Sequence, residues 1–267
     1  DDPFFVLNGD ILSAIDFRSL FQKHVEAKAR ATIALHEVEN PSRFGVVVLN
    51  EKNQILKFME KPKPEEAPSR LINAGVYVLN PSVLDLIPVD RQVSIEREVF
   101  PVLARNIELY GHTFDGLWMD IGKPEDYITA NRKMLDLVAS QNMVEKGAKI
   151  NSRAKLLPPV AVARGAVIES EAVVGPYVSV GEGVVINRGT KIENSVLFPR
   201  AWIDCYTSVK GSIVGEGAIL GRWVKIENDC IVGDHAVIND NVSLTPAVKV
   251  CPSKEVSESI LQPSTVM

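Results

Sequence analysis

Cysteine is scarce: 3 in 267 residues, at positions 205, 230 and 251, too few and too scattered for a disulfide framework or a zinc site. A reducing cytoplasmic setting is the simplest expectation. No apolar run approaches the roughly 18–20 residues that would cross a bilayer. Long basic runs are also missing and the net charge is −5, which argues against nucleic acid or an anionic membrane as partner. Asp1-Asp2-Pro3 lacks the basic start of a signal peptide. Gly9 and the dispersed glycines of the second half form neither a P-loop nor a dinucleotide fingerprint.

What the sequence does have is a six-residue repeat from Ile150 to Val248. Seventeen aliphatic openers run from Ile150 and Leu156 through Val180 and Ile186 to Leu244, none of them polar. Four places after each opener stands a small or β-branched residue, such as Ala154, Val160, Ala166 and Cys230. Only the steps 192 to 197 and 209 to 214 are five residues long instead of six. A helix would need apolar residues at three- and four-residue intervals, and a lone strand would alternate. The hexad register therefore predicts a parallel β-helix, each coil covering its neighbour's apolar face. Both the openers and the fourth positions should point inward. Cys230 is then a small core residue, and Trp202 and Trp223 face outward.

Residues 1–141 follow another pattern. Short apolar runs at Phe4–Leu7, Ala31–Val38, Phe44–Leu49, Gln54–Phe58, Ile72–Leu79 and Leu109–Asp115 read as strands. Helices are expected from about Ile15 to Ala29, with Ser13 or Asp16 as N-cap, after Pro81, from Ser94 to Asn106, and from Lys123 to Ser140. Leu117–Gly122 reads as a loop. Strands that are continuously apolar, alternating with helices, predict an α/β domain with a mostly parallel sheet. A polar hinge near Gln141–Ala148 sets the division: a domain at 1–141, a linker at 142–149, and the coil with its tail at 150–267. The chain opens almost directly on Phe4–Leu7, expected to be a buried strand. A sheet starting there would expose an apolar edge, so the sequence is expected to be the C-terminal part of something longer.

Several residues could carry chemistry. Asp10 ends the first strand, where open α/β sheets place ligands; alone, Asn8-Gly9-Asp10 is also an ordinary turn. Asp120, among apolar neighbours and just before a helix, could equally be an N-cap. Together they would suit Mg²⁺, which takes one or two carboxylates plus substrate phosphates. Lys61 follows Glu60 in a loop stiffened by Pro62 and Pro64, so its ammonium could be aimed at a phosphate with little entropy lost. Asn73-Ala74-Gly75 offers an amide and bare backbone to sugar hydroxyls, or else marks a bulge. Gly45 invites the same pair of readings.

In order and spacing, Phe4–Asp10, Phe44-Gly45-Val46, Glu60-Lys61-Pro62, Ile72–Tyr77, Ser94–Pro101 and Trp118–Tyr127, followed by the hexads, resemble the sugar-1-phosphate nucleotidyltransferases. Within them the likeness is to the mannose-1-phosphate guanylyltransferases (GDP-mannose pyrophosphorylases), over essentially the whole chain. The resemblance implies a Rossmann-like sheet, N-terminally incomplete, and a left-handed parallel β-helix of hexapeptide repeats. It implies that GTP and mannose 1-phosphate give GDP-mannose and pyrophosphate. Asp10 and Asp120 would then hold Mg²⁺, Lys61 would bind the sugar phosphate, and Gly45, Glu60, Asn73 and Gly75 would contact the sugar. A homo-oligomer, or a complex with a paralogous regulatory subunit through the β-helix, is implied as well. The family's glycine-rich nucleotide loop would precede Asp1, so this chain alone is expected to show no turnover.

Two other classes stand beside this one. Hexapeptide coils also carry acyltransferases that use a histidine at the coil edge. Of His24, His36, His112 and His235, only His235 lies in the repeat, at an expected solvent-facing corner. A non-catalytic regulatory or assembly subunit would keep the fold and bind the sugar nucleotide.

Overall fold

The computed structural model describes residues 2–138 and 141–267. The chain divides into two compact units, Asp1–Ile121 and Gly122–Met267.

In the first unit β1 (Phe4–Leu7) and a short β2 (Ile11–Ser13) lead into α1 (Phe17–Ala27). Of the two candidate caps it is Asp16 that serves, its Oδ1 accepting the Arg18 N–H at 2.9 Å. Ser13 is part of β2 instead. Next come β3 (Ala31–Glu37), the hairpin β4 (Gly45–Leu49) and β5 (Ile55–Glu60), and β6 (Leu71–Leu79). Pro81–Leu86 forms a 3₁₀ helix. Ser94 caps a single π turn, Ile95–Val99, which runs into α2 (Phe100–Arg105). The unit closes with β7 (Leu109–Thr113) and β8 (Trp118–Asp120).

The main sheet has the order β5-β4-β6-β3-β7, with β1 also against β6. Within this sheet, among the described residues, only β3 and β7 pair in parallel; β1–β6, β3–β6, β4–β5 and β4–β6 are antiparallel. The α/β class stands, but the mostly parallel sheet does not. Continuous apolar runs report that a strand is covered on both faces, and cover on both faces leaves strand direction open. That cover is real for β3 and β6. Ile33, Leu35 and Tyr77 pack with Phe100 and Leu103 on one side, and Ala34, Val76 and Val78 with Leu20 on the other. Unlike these, β1 is not buried: Phe5 and Leu7 remain 37 % and 51 % exposed, and Phe5 meets the edge of Phe17 at 5.6 Å.

The second unit begins with α3 (Pro124–Val138). Its Asn131 Oδ1 accepts the Ser179 hydroxyl at 2.6 Å, and its Tyr127 stacks on Phe198 at 6.1 Å, so the helix lies on the coil. Within 142–149, the span read as a linker, Met143–Val144 already pairs with Ala161–Val162. Beyond it the chain winds into a parallel β-helix whose strands stack as three sheets. Residues eighteen apart pair, as in Lys149 with Val167 and Val167 with Val185. From Val162 onward every opener is buried, as read from the hexads, whereas Ile150 and Leu156 in the first coil are only half-covered.

The two five-residue steps shift one detail. There the inward side chains are Ser195 and Ser212, at 0 % and 1 % exposure, rather than Val196 and Ile213. With one residue fewer at the corner, the third position after the opener takes the place of the fourth. These serines form a satisfied polar column. The Ser195 Oγ accepts the Ser212 N–H at 3.1 Å, the Ser212 Oγ donates to the Glu227 carbonyl at 2.7 Å, and the Cys230 N–H reaches the Ser212 Oγ at 3.2 Å. Buried hydroxyls that reach carbonyls avoid the cost of unmet polar groups. Cys230 is buried, while Trp202 and Trp223 face outward.

Candidate active site

Local pairing builds the site. β2 and β8 form a separate antiparallel ladder in which Ile11 stands opposite Asp120, and the Ile121 N–H donates to the Asp10 carbonyl at 2.8 Å. Half of the segment read as a loop at 117–122, Trp118–Asp120, is therefore strand, and this ladder makes Asp10 and Asp120 neighbours. The signal was hidden because three residues are too few to show alternation.

The β4–β5 hairpin supplies the second wall. Gly45 stands opposite Glu60. A Cβ on Gly45 would fall 2.6 Å from Phe58 Cζ and 3.0 Å from Glu60 Oε2, so only glycine leaves room for that carboxylate. Lys61 follows at φ 49°, a left-handed conformation that costs a lysine about 1 kcal/mol. Its N–H donates to the Phe44 carbonyl at 3.1 Å, and its Nζ lies 3.8 Å from Glu60 Oε1.

β6 supplies the third. Its pairing with β3 slips between Ile33–Tyr77 and Leu35–Asn73, leaving Ala74, Gly75 and Val76 opposite a single residue. Gly75 sits in this bulge at φ +74°, where a Cβ would lie 2.9 Å from Ile11 Cγ1. The bulge and the ligand-facing backbone offered as alternatives at this position are thus one feature. Asn73 is fixed at both ends of its amide: Oδ1 accepts the Gly75 N–H at 3.0 Å, and Nδ2 donates to the Tyr77 hydroxyl at 2.9 Å. Trp118 bolts β8 to the bulge by an Nε1–H bond to the Ala74 carbonyl at 3.0 Å.

These elements enclose one cleft of about 290 Å³. Asp10, Gly45, Glu60, Lys61, Asn73, Gly75 and Asp120 all line it. So do Asn8, Arg43, Glu96 and Trp118, to which the sequence reading gave no site role. Asn8 had a signal in its place beside Asp10; its N–H donates to the Gly75 carbonyl at 2.8 Å. Glu96 lies in the first turn after the Ser94 cap and accepts the Ser94 hydroxyl at 3.1 Å. Only the fold brings it to the cleft. Burial pushes the Glu60 carboxyl above its ordinary range, the Lys61 ammonium opposes this, and the Glu96 charge adds to it. Burial also raises the Tyr77 phenol, against the pull of Asn73. Four carboxylates (Asp10, Glu60, Glu96, Asp120) face two cations, Arg43 and Lys61, so an incoming dianion needs further positive charge.

The first unit and the coil each match a known family. A profile described as nucleotidyl transferase covers residues 1–136, and one described as GMPPB C-terminal domain covers 156–266. The probable mannose-1-phosphate guanylyltransferase 1 of Oryza sativa subsp. japonica is 40 % identical over 267 residues, which is 100 % of this chain and 72 % of that protein. The chain belongs to the mannose-1-phosphate guanylyltransferase family. Other members are at similar distance: the mannose-1-phosphate guanylyltransferase catalytic subunit beta of Drosophila melanogaster is 37 % identical over 100 % of this chain and 70 % of its own length. Mannose-1-phosphate guanylyltransferase 1 of Arabidopsis thaliana is 36 % identical over 100 % of this chain and 72 % of its length.

For a member of the mannose-1-phosphate guanylyltransferase family, the coil histidine has little to offer. His235 is exposed at a corner, at φ 57°. Among the described residues no helix is long and apolar enough to cross a membrane.

Proposed function

We propose that the cleft holds mannose 1-phosphate for nucleotidyl transfer from GTP, giving GDP-mannose and pyrophosphate. The observation that carries this is the convergence of Asp10, Lys61 and Asp120 with Gly45, Glu60, Asn73 and Gly75 in one cleft. A phosphate oxygen of the sugar attacks the α-phosphorus of GTP, the bond from that phosphorus to the β-phosphate bridge breaks, and pyrophosphate leaves. No covalent enzyme intermediate is required, so the protein's task is positioning and charge neutralisation.

Lys61 binds the sugar phosphate from the rim, exchanging its loose contact with Glu60 for a phosphate oxygen. Glu60 and the locked Asn73 amide bind sugar hydroxyls, and the bare backbone at Gly45 and Gly75 lets the ring approach. Asp10 and Asp120 would hold Mg²⁺. Among the described residues no three His, Cys, Asp or Glu side chains gather as a metal cage, and adjacent carboxylates fit an ion that completes its shell with phosphates and water. When bound, it would neutralise phosphate charge in a cleft whose acids outnumber its bases. A cytoplasmic setting suits the free Cys205, Cys230 and Cys251. Assembly through the coil, with a second copy or a related regulatory subunit, belongs to the same reading.

Calorimetric titration with mannose 1-phosphate, with and without MgCl₂, tests the site without requiring turnover. Lys61→Ala is expected to weaken binding by about 10- to 100-fold, a charge-assisted contact being worth ~1.5–3 kcal/mol. Lys61→Arg should recover part of it. Unchanged affinity in Lys61→Ala would overturn the assignment.

A further inference from the structure

Among the described residues the cations lining the cleft are Arg43 and Lys61, and a single residue, Phe44, ties them together. Arg43 ends the 3₁₀ turn Pro41–Arg43, which the Phe44 N–H closes on the Pro41 carbonyl at 3.0 Å. Asn40 caps that turn, its Oδ1 accepting the Ser42 N–H at 3.4 Å. The Phe44 carbonyl accepts the Lys61 N–H at 3.1 Å, one step beyond the Gly45–Glu60 pair. Strict alternation along β5 would send Lys61 to the face opposite Glu60. The left-handed bend at φ 49° returns it to the cleft. On the other side of Phe44, its ring lies 5.9 Å from Arg43 Cζ, and Trp118 meets that ring edge-on at 5.1 Å. A guanidinium over a ring face is steadied without using its N–H donors in the contact.

Charge decides what this pair can hold. A phosphate monoester has its second pKa at about 6, so mannose 1-phosphate is close to a dianion at pH ~7. It enters a cleft lined by Asp10, Glu60, Glu96 and Asp120. A divalent ion on Asp10 and Asp120 would still leave Glu60 and Glu96 facing one ammonium, whose Nζ already lies 3.8 Å from Glu60 Oε1. Arg43 brings that remainder to balance. Its planar fork also matches two phosphate oxygens at once, which a lysine point charge does not.

We propose that Arg43 is a second phosphate-binding residue of this site, holding the substrate phosphate jointly with Lys61. This rests on the function proposed above and adds the residue that makes the cleft prefer the phosphorylated sugar to free mannose. Arg43 contributes affinity for the phosphate and none for the ring, whereas Glu60, Asn73 and Gly75 serve the ring in both ligands.

NMR titration of the nitrogen-15-labelled chain with mannose 1-phosphate, and separately with mannose, tests this in the presence of MgCl₂. Arg43→Gln should weaken mannose 1-phosphate by about 10- to 100-fold, the range of a charge-assisted hydrogen bond, and leave mannose within about twofold. Arg43→Lys keeps the charge and loses the fork, so it should fall between Arg43→Gln and the parent. The ligand-free spectrum of Arg43→Gln should match that of the parent outside the turn and its neighbours. Equal losses for both ligands, or a spectrum altered across the cleft, would overturn the phosphate contact and leave Arg43 shaping the cleft. An Arg43→Gln chain with unchanged affinity would overturn it too. A parent that binds mannose as tightly as mannose 1-phosphate would overturn the phosphate site as a whole, Lys61 included. A sensitive Arg43→Gln beside an indifferent Lys61→Ala would overturn the Lys61 assignment and the joint grip.

Discussion

Val180→Asp puts a carboxylate into the stack between Val162 and Leu197, where Val180 is 3 % exposed. Losing the buried valine forfeits roughly 1.5–2 kcal/mol of transfer free energy. Burying an unpartnered carboxyl adds about 1–3 kcal/mol even in its neutral form. The expected destabilisation is therefore roughly 3–5 kcal/mol, within reach of the whole stability of a domain. Lys191→Asp, on the exposed position beside opener Ile192, should stay within about 0.5 kcal/mol. Urea unfolding followed by far-UV circular dichroism reads both. The pH dependence gives a second check. A buried aspartate has a folded-state pKa raised above its unfolded value, so the folded form binds more protons in between and stability falls as pH rises through that window. The gap between variant and parent should accordingly narrow toward pH ~4. A Val180→Asp chain within 1 kcal/mol of the parent at pH 7 would show that the coil does not bury its hexad openers.

Gly45→Ala drives a methyl against the core ring of Phe58 and against Glu60; it should weaken mannose 1-phosphate binding about tenfold in calorimetry and also lower the melting temperature, overpacking costing about 1–3 kcal/mol. A melting shift without loss of affinity would place Gly45 outside the sugar contacts. His24 is 2 % exposed, its Nδ1 lies 3.0 Å from Thr32 Oγ1, and burial lowers its pKa. The unfolded chain then binds the extra proton first, so stability is flat above about pH 6.5 and falls as pH drops from there toward the folded pKa. Calorimetric melts of the parent and His24→Gln from pH 7.5 to 5 should show the smaller slope in the variant.

The coil was legible almost residue by residue, because an inward position recurring every six residues imposes one chemical demand many times over. It failed only where the period broke, since a five-residue step moves the inward role to Ser195 and Ser212, and a serine looks like a surface residue. The site was legible as a set of side chains but not as a place. Asp10 and Asp120 are 110 positions apart, and a three-residue ladder too short to leave a pattern makes them neighbours. Strand direction was misread for the same kind of reason: hydropathy records how many faces of β3 and β6 are covered, and says nothing of the two running antiparallel. Arg43 carries no local mark, and Glu96, although inside the Ser94–Pro101 block, carries none of a place in the cleft, because both positions depend on long-range packing.

The repeat also makes length a quantised variable in this protein. Excising residues 168–185, one complete storey, would leave every later side chain above the wall it already occupies. Excising six would rotate all that follows by a third of a turn, carrying Trp202 off its wall and setting Ser208 where the indole had been and Lys225 in the place of Ile219. Insertions and deletions that preserve the binding surfaces of this half of the molecule must therefore come in whole storeys.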